Sequence, residues 1–160
     1  MARETPSQTA GPYLHIGLMP NAAGIDGVYR HDVGSVMVSN PDIVLTGCIY
    51  DGAGAPVTDA VIEAWQADIG AFGRSASDPD TGEFRFETCR SDDAFLTLWI
   101  IARGINLGLY TRAYWPGDLP ALPGLDEARA RTLMMQDKGR GAYRFDMHLQ
   151  GPHETVFLDG

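Results

Sequence analysis

The sequence predicts an all-β protein, an antiparallel β-sandwich with one short helix, on three observations. Glu83-Phe84-Arg85-Phe86-Glu87 alternates strictly between charged and aromatic residues, the period of a strand with one buried face. The run 95–102 is apolar but for Thr97, as in a strand covered on both sides. Between such runs stand clusters of Gly, Pro, Asp and Ser, of which Asp78-Pro79-Asp80-Thr81-Gly82 is the strongest. There Pro fixes one φ, the Asp and Thr side chains bond locally, and Gly accepts an open conformation. Short strands separated by turns of this kind build sandwiches.

In chain order, residues 22–40 read as a loop, broken by Gly24, Gly27, Gly34 and Ser39-Asn40-Pro41. The first strand is Ile43–Tyr50, followed by the glycine-rich turn Asp51-Gly52-Ala53-Gly54-Ala55-Pro56. Residues 57–66 form the next, with Val61, Glu63 and Trp65 on one face and Ile62, Ala64 and Gln66 on the other. Residues 107–115 and 142–150 also alternate, and 155–158 closes the chain as a short strand. The helix falls at 126–136. Leu125, Arg129 and Leu133 recur at helical spacing, Asp126-Glu127 sits at the positive end of its dipole, Lys138 lies near the negative end and Gly139 terminates it.

Length and composition set the class. One domain covers 1–160, long enough for a sizeable core. The formal net charge of −9 and the absence of a Lys/Arg cluster exclude a nucleic-acid-binding reading, because an acidic surface repels phosphates. The longest apolar run, 95–102, is far too short to span a bilayer, and no secretory leader is visible at the start, so a cytoplasmic location is expected. Cys48 and Cys89 have neither zinc-like nor CxxC spacing and read as free thiols in a reducing compartment rather than as a disulfide.

Chemistry-bearing motifs are sparse. His15, His31, His148 and His153 are not paired at ligand spacing, and Gly151-Pro152 does not hold the last two on one face. GxGxxG, P-loop, GxSxG and HExxH sequences are absent. Arg103 stands out at the end of the apolar run. Its guanidinium needs a partner there, because burying it unpaired is costly. Two readings are open: a structural ion pair with an Asp or Glu, or a clamp for a ligand carboxylate, which the bidentate fork of Arg suits. The opening run Thr5-Pro6-Ser7-Gln8-Thr9-Ala10-Gly11-Pro12-Tyr13 combines two prolines, a glycine and hydroxyls on Thr9 and Tyr13. Such a mixture suits a pocket wall, although taken alone a terminal run of this kind is more often a docked structural arm.

That opening run, Gly47-Cys48-Ile49-Tyr50-Asp51-Gly52, Glu63-Ala64-Trp65-Gln66-Ala67-Asp68, Phe72-Gly73-Arg74, Ala102-Arg103-Gly104-Ile105-Asn106, Tyr143-Arg144-Phe145-Asp146 and the stretch from Gln150-Gly151 to Glu154-Thr155-Val156-Phe157 together resemble the intradiol ring-cleavage dioxygenases. Within that family the likeness is to the alpha chains of its two-chain members, and it runs from Thr5 almost to the end, with gaps. The resemblance implies a sandwich of the intradiol type and a hetero-oligomer, large and symmetric, with a catalytic beta chain. It implies protocatechuate (3,4-dihydroxybenzoate) and O2 as substrates, cleaved to 3-carboxy-cis,cis-muconate in the β-ketoadipate route of aromatic catabolism. The family's ferric ion is held by two tyrosinates and two histidines, phenolate oxygens being hard donors that suit Fe(III). At the strand that carries the family's H-x-H pair this chain has Phe95-Leu96-Thr97, and the tyrosine-bearing segments are missing from the shortened stretches 66–72 and 88–95. The resemblance therefore implies Fe(III) on the beta chain, none held by this chain, and no catalytic residue here. It places residues 1–20 as an arm at an interfacial pocket, with Thr9, Gly11, Pro12 and Tyr13 lining the substrate site and Arg103 attracting the substrate carboxylate. The competing expectation is a transthyretin-like sandwich that serves only as a binding or structural module.

Overall fold

The computed structural model describes residues 9–158. Its elements in order are α1 (Leu14–Leu18), β1 (Ile43–Tyr50), β2 (Val61–Gln66), β3 (Ala71–Ala76), β4 (Glu83–Thr88), β5 (Phe95–Ile101), β6 (Leu109–Tyr114), α2 (Glu127–Arg131), β7 (Gln136–Gly139), β8 (Ala142–Arg144) and β9 (Met147–His148). One sheet has the order β4-β1-β8-β7, with β9 also on β1; the other has the order β3-β2-β5-β6. Leu45, Ile49, Phe84 and Phe86 from the first sheet meet Ile62, Leu96, Leu98 and Ile100 from the second in one core, all fully buried. Each such side chain contributes roughly 1.5–3 kcal/mol of transfer free energy. This is the expected sandwich.

Most of the alternating and apolar runs form strands near where the sequence places them. β1 has the expected bounds and β4 runs one residue further than the alternation, to Thr88. The strand expected over 57–66 begins only at Val61, since 58–59 form a turn, and the one expected over 107–115 is Leu109–Tyr114. Four further local expectations are revised. First, the sandwich is not purely antiparallel, since β8 and β9 both run parallel to β1. Second, residues 142–150 are two short strands, because the chain bends at Phe145-Asp146 to bury the Phe145 ring. The crossing is close enough that a Cβ on Gly47 would lie 1.9 Å from the Phe145 carbonyl oxygen. Third, the helix expected over 126–136 stops at Arg131, since Met134 bridges to Tyr114 and the Met135 amide bonds the Tyr114 carbonyl at 2.9 Å. The edge of β6 recruits this segment into sheet pairing before a second helical turn can form. Fourth, 155–158 contributes only an isolated bridge, Leu158 to Tyr110.

α1, β3 and β7 have no counterpart in the sequence reading. In β3 the buried positions are Ala71, Gly73 and Ser75, which carry too little side chain to show a hydrophobic period. β7 is exposed at every position and is held by backbone pairing with β8 alone.

Candidate pocket at the arm and the Arg103 turn

The site begins with strand register. Val61 at the start of β2 lies opposite Ala76 of β3 and Ile101 of β5. The residues just outside those strands therefore share one end of the sheet: Asp59-Ala60 before β2, Ser77 after β3, and Ala102-Arg103 after β5. The Ser77 amide bonds the Ala60 carbonyl at 2.9 Å, which continues the β2–β3 pairing by one step. After Arg103 the chain turns back through Gly104 at φ 87°, a conformation that glycine takes without a Cβ penalty.

The arm docks on this turn. The Thr9 hydroxyl accepts from the Gly104 amide at 2.8 Å and donates to the Ile105 carbonyl at 3.0 Å. Ala10 forms a parallel bridge with Arg103. One side chain thus satisfies a donor and an acceptor that a turn leaves unpaired. Beyond it, α1 leads into the loop over β3, where Arg74 reaches the Leu18 carbonyl with Nη1 at 3.5 Å and pairs with Glu63 through Nε at 2.8 Å. This Glu63–Arg74 pair is nearly enclosed, with side-chain exposures of 12% and 18%.

Arg103 carries both readings left open by the sequence. Its Nε lies 3.3 Å from Oδ2 of the largely buried Asp59, yet the Arg103 side chain is 66% exposed. It borders a pocket of about 300 Å³ together with Asp51, Gly104, Ile105, Leu149 and Gln150. The Asp59 carboxylate orients the guanidinium from behind, and the exposed remainder can meet a ligand carboxylate. Of the five expected site residues, Arg103 and Thr9 come together. Gly11, Pro12 and Tyr13 follow Thr9 along the arm without lining that pocket, and Tyr13 is 74% exposed. The earlier part of the arm, 1–8, lies outside the described residues. Asp59 was missed from sequence. Its only signal is register, as it sits two residues before Val61 while Arg103 sits two after Ile101.

The strand on which the resemblance would place a histidine pair is β5, and its side chains are engaged in packing. The Phe95 ring packs tilted against that of Tyr114 with centroids 5.0 Å apart, Arg112 lies over the Phe95 ring at 4.5 Å, and Leu96 is fully buried. The two histidine positions fall on Phe95 and Thr97: a phenyl ring donates nothing to Fe(III), and one neutral hydroxyl does not replace a pair of imidazoles, so the residues present here do not fit the metal. Among the described residues no cluster of three or more His, Cys, Asp or Glu could hold a metal ion.

One histidine expectation is corrected. His148 and His153 lie with ring centroids 6.2 Å apart, and Tyr50 stacks on His148 at 5.0 Å. Thr155 causes this. Its hydroxyl accepts from the His148 amide and its own amide bonds the His148 carbonyl, both at 2.9 Å, so the loop through Gly151-Pro152 folds back on itself. Burial pushes the Tyr50 phenol above its ordinary pKa, with the Asp146 carboxylate adding to the effect, so it stays neutral at physiological pH. Cys48 and Cys89 are free thiols.

Comparison with known proteins places this geometry. The chain is 34% identical to the protocatechuate 3,4-dioxygenase alpha chain of Pseudomonas putida, over 98% of this chain and 96% of that protein. It is 32% identical to the alpha chain of the same name from Burkholderia cepacia, over 98% of each. The first alignment spans 195 positions against a chain of 160 residues, so that relative carries segments this chain lacks. No protein-family model matches. Among solved structures, the dioxygenase domain of a dioxygenase–carbohydrate-binding fusion from Streptomyces sp. SirexAA-E superposes with a TM-score of 0.52 at 20% identity, over 82% of this chain and 95% of that one. Hydroxyquinol 1,2-dioxygenase from Pseudomonas putida DLL-E4 gives 0.53 at 18%, over 78% and 62%. These two share the fold.

Proposed function

The chain belongs to the family of protocatechuate 3,4-dioxygenase alpha chains, and from that premise we propose that it is the non-catalytic subunit of an intradiol ring-cleaving dioxygenase. In this reading it forms one wall of a substrate pocket completed by a beta chain, within a cytoplasmic hetero-oligomer. The substrate is protocatechuate, and O2 opens its ring between the two hydroxyl-bearing carbons to give 3-carboxy-cis,cis-muconate. The Fe(III) belongs to the beta chain, since the matching strand here offers Phe95, Leu96 and Thr97.

The observation that carries the proposal is the docking of Thr9 on the turn that presents Arg103. A sandwich that served only as a binding module would have no need to tie an arm beside an exposed arginine. In this reading Thr9, Gly11, Pro12 and Tyr13, which stand outside the pocket that this chain lines by itself, become part of its wall only when the partner closes over the arm. Arg103, oriented by Asp59, takes the substrate carboxylate and so selects carboxylated catechols over catechol itself. Closing the pocket with two chains also excludes water, which strengthens that charge pairing.

The test is protocatechuate-dependent oxygen uptake by the chain alone and by the chain co-expressed with a beta chain. Activity in the pair alone supports the proposal. Activity in the lone chain overturns the assignment of iron to the partner, and no activity in either leaves the fold as a binding module.

A further inference from the structure

A second cavity lies under α1, of about 300 Å³, walled by Ile16, Met19, Ala23 and Pro79 and by two polar side chains, His15 and Ser77. It shares no wall with the pocket at Arg103. Ser77 is 4% exposed, yet its hydroxyl has no hydrogen-bond partner among the described residues, and the same holds for the buried Nδ1 of His15. Only one further buried side-chain polar atom of the described residues is in this condition, Oδ1 of Asp32. The other Asp32 oxygen accepts from the amide of Ala22, also in the wall, at 2.9 Å. Buried polar groups are ordinarily paired, so the two orphans in the wall of one cavity call for a common explanation.

We propose that this cavity is a second small-molecule site, taking a small uncharged compound with an apolar body and one hydroxyl group. A hydroxyl can donate to one of the two orphaned groups and accept from the other. The apolar wall takes the rest of the molecule, and the Met19 thioether favours an aromatic ring. The Asp32 carboxylate beside Ala22 disfavours an anion, which separates this site from the carboxylate-binding Arg103. Ligand sites commonly pair an apolar wall with a few convergent polar groups. Because α1 is the roof, an occupant would also pin the arm against the end of β3.

The test uses phenol as probe and does not depend on ring-cleavage activity. Proton NMR of the histidine rings follows a phenol titration of the full-length chain, alone or in its complex. Millimolar affinity is expected for so small a molecule, with saturable shifts at His15 and none at His31. Ser77→Ala removes only a hydroxyl without a partner, so the chain should fold normally and bind phenol about tenfold more weakly, the loss of one hydrogen bond. Ala23→Met, at an exposed wall position, should fill the cavity and abolish the shifts. Unmoved His15 resonances at about ten times the expected dissociation constant, or equal binding by the Ala23→Met protein, would overturn the site.

Discussion

Arg103 shows what one side chain at a strand end can settle. Its position after an apolar run marked it in the sequence, but Asp59 emerges only once β2 and β5 are in register, because no local pattern links residues so far apart. With Asp59 orienting it, Arg103→Ala should raise the KM for protocatechuate roughly 10- to 100-fold, the worth of a charged hydrogen bond of about 1.5–3 kcal/mol. Iron content of the complex should be unchanged. Steady-state oxygen uptake and metal analysis check both, and an unaltered KM would remove Arg103 from the site. Arg103→Lys should recover only part of the affinity, since the ammonium lacks the planar fork. The Glu63–Arg74 pair behaves differently because it is enclosed. Arg74→Met leaves a carboxylate buried without its partner, so urea unfolding should show a loss of about 3–5 kcal/mol.

At the scale of elements, legibility followed side-chain size and pairing. β4 announces itself by aromatic residues at alternate positions, and β1 by its apolar, β-branched start and the turn residues that follow it. β3 buries Ala, Gly and Ser, and β7 buries nothing, so neither leaves a periodic trace. The stretch 126–136 has true helical spacing, but pairing of Met135 with Tyr114 offers its backbone a better partner. What remains of the helix depends on its cap: the Asp126 carboxylate accepts from the Arg129 amide at 2.8 Å. Asp126→Ala should cost about 1 kcal/mol in a thermal or urea melt. The turn between β3 and β4 has a similar device. Asp78 accepts from the Thr81 amide and hydroxyl at 2.7 and 2.9 Å, and then from the Asp80 amide. Those bonds, the Thr81 amide first, hold its carboxyl below its ordinary pKa. A depressed carboxyl lends stability above its unfolded pKa, about 3.9, and loses it as pH falls through the lower folded value. Asp78→Asn should therefore flatten the acid limb of the stability profile. The arm is the least anchored element, its described start held by Thr9 and one bridge. Deleting residues 1–13 should abolish oxygen uptake by the complex while leaving the melting temperature of the sandwich nearly unchanged.

For the whole molecule, the sandwich class was legible from alternating and apolar runs set between turns, whereas the site's assembly was not, because it joins a terminal arm and a turn about a hundred residues apart. The connection 67–70 between β2 and β3 is short, and Gly70 closes it as a tight turn onto Ala67. The feature with the widest reach is the parallel pairing of β1 with β8 and β9. A strand near the front of the chain is completed by strands near its end, so translation must nearly finish before one flank of β1 is covered. During synthesis β1 waits beside β4 with an open backbone edge, the kind of surface that recruits strands from neighbouring chains. Yield of folded protein should then depend on elongation speed and on chaperones that mask open edges, and the nascent chain, more than the finished fold, becomes the vulnerable species.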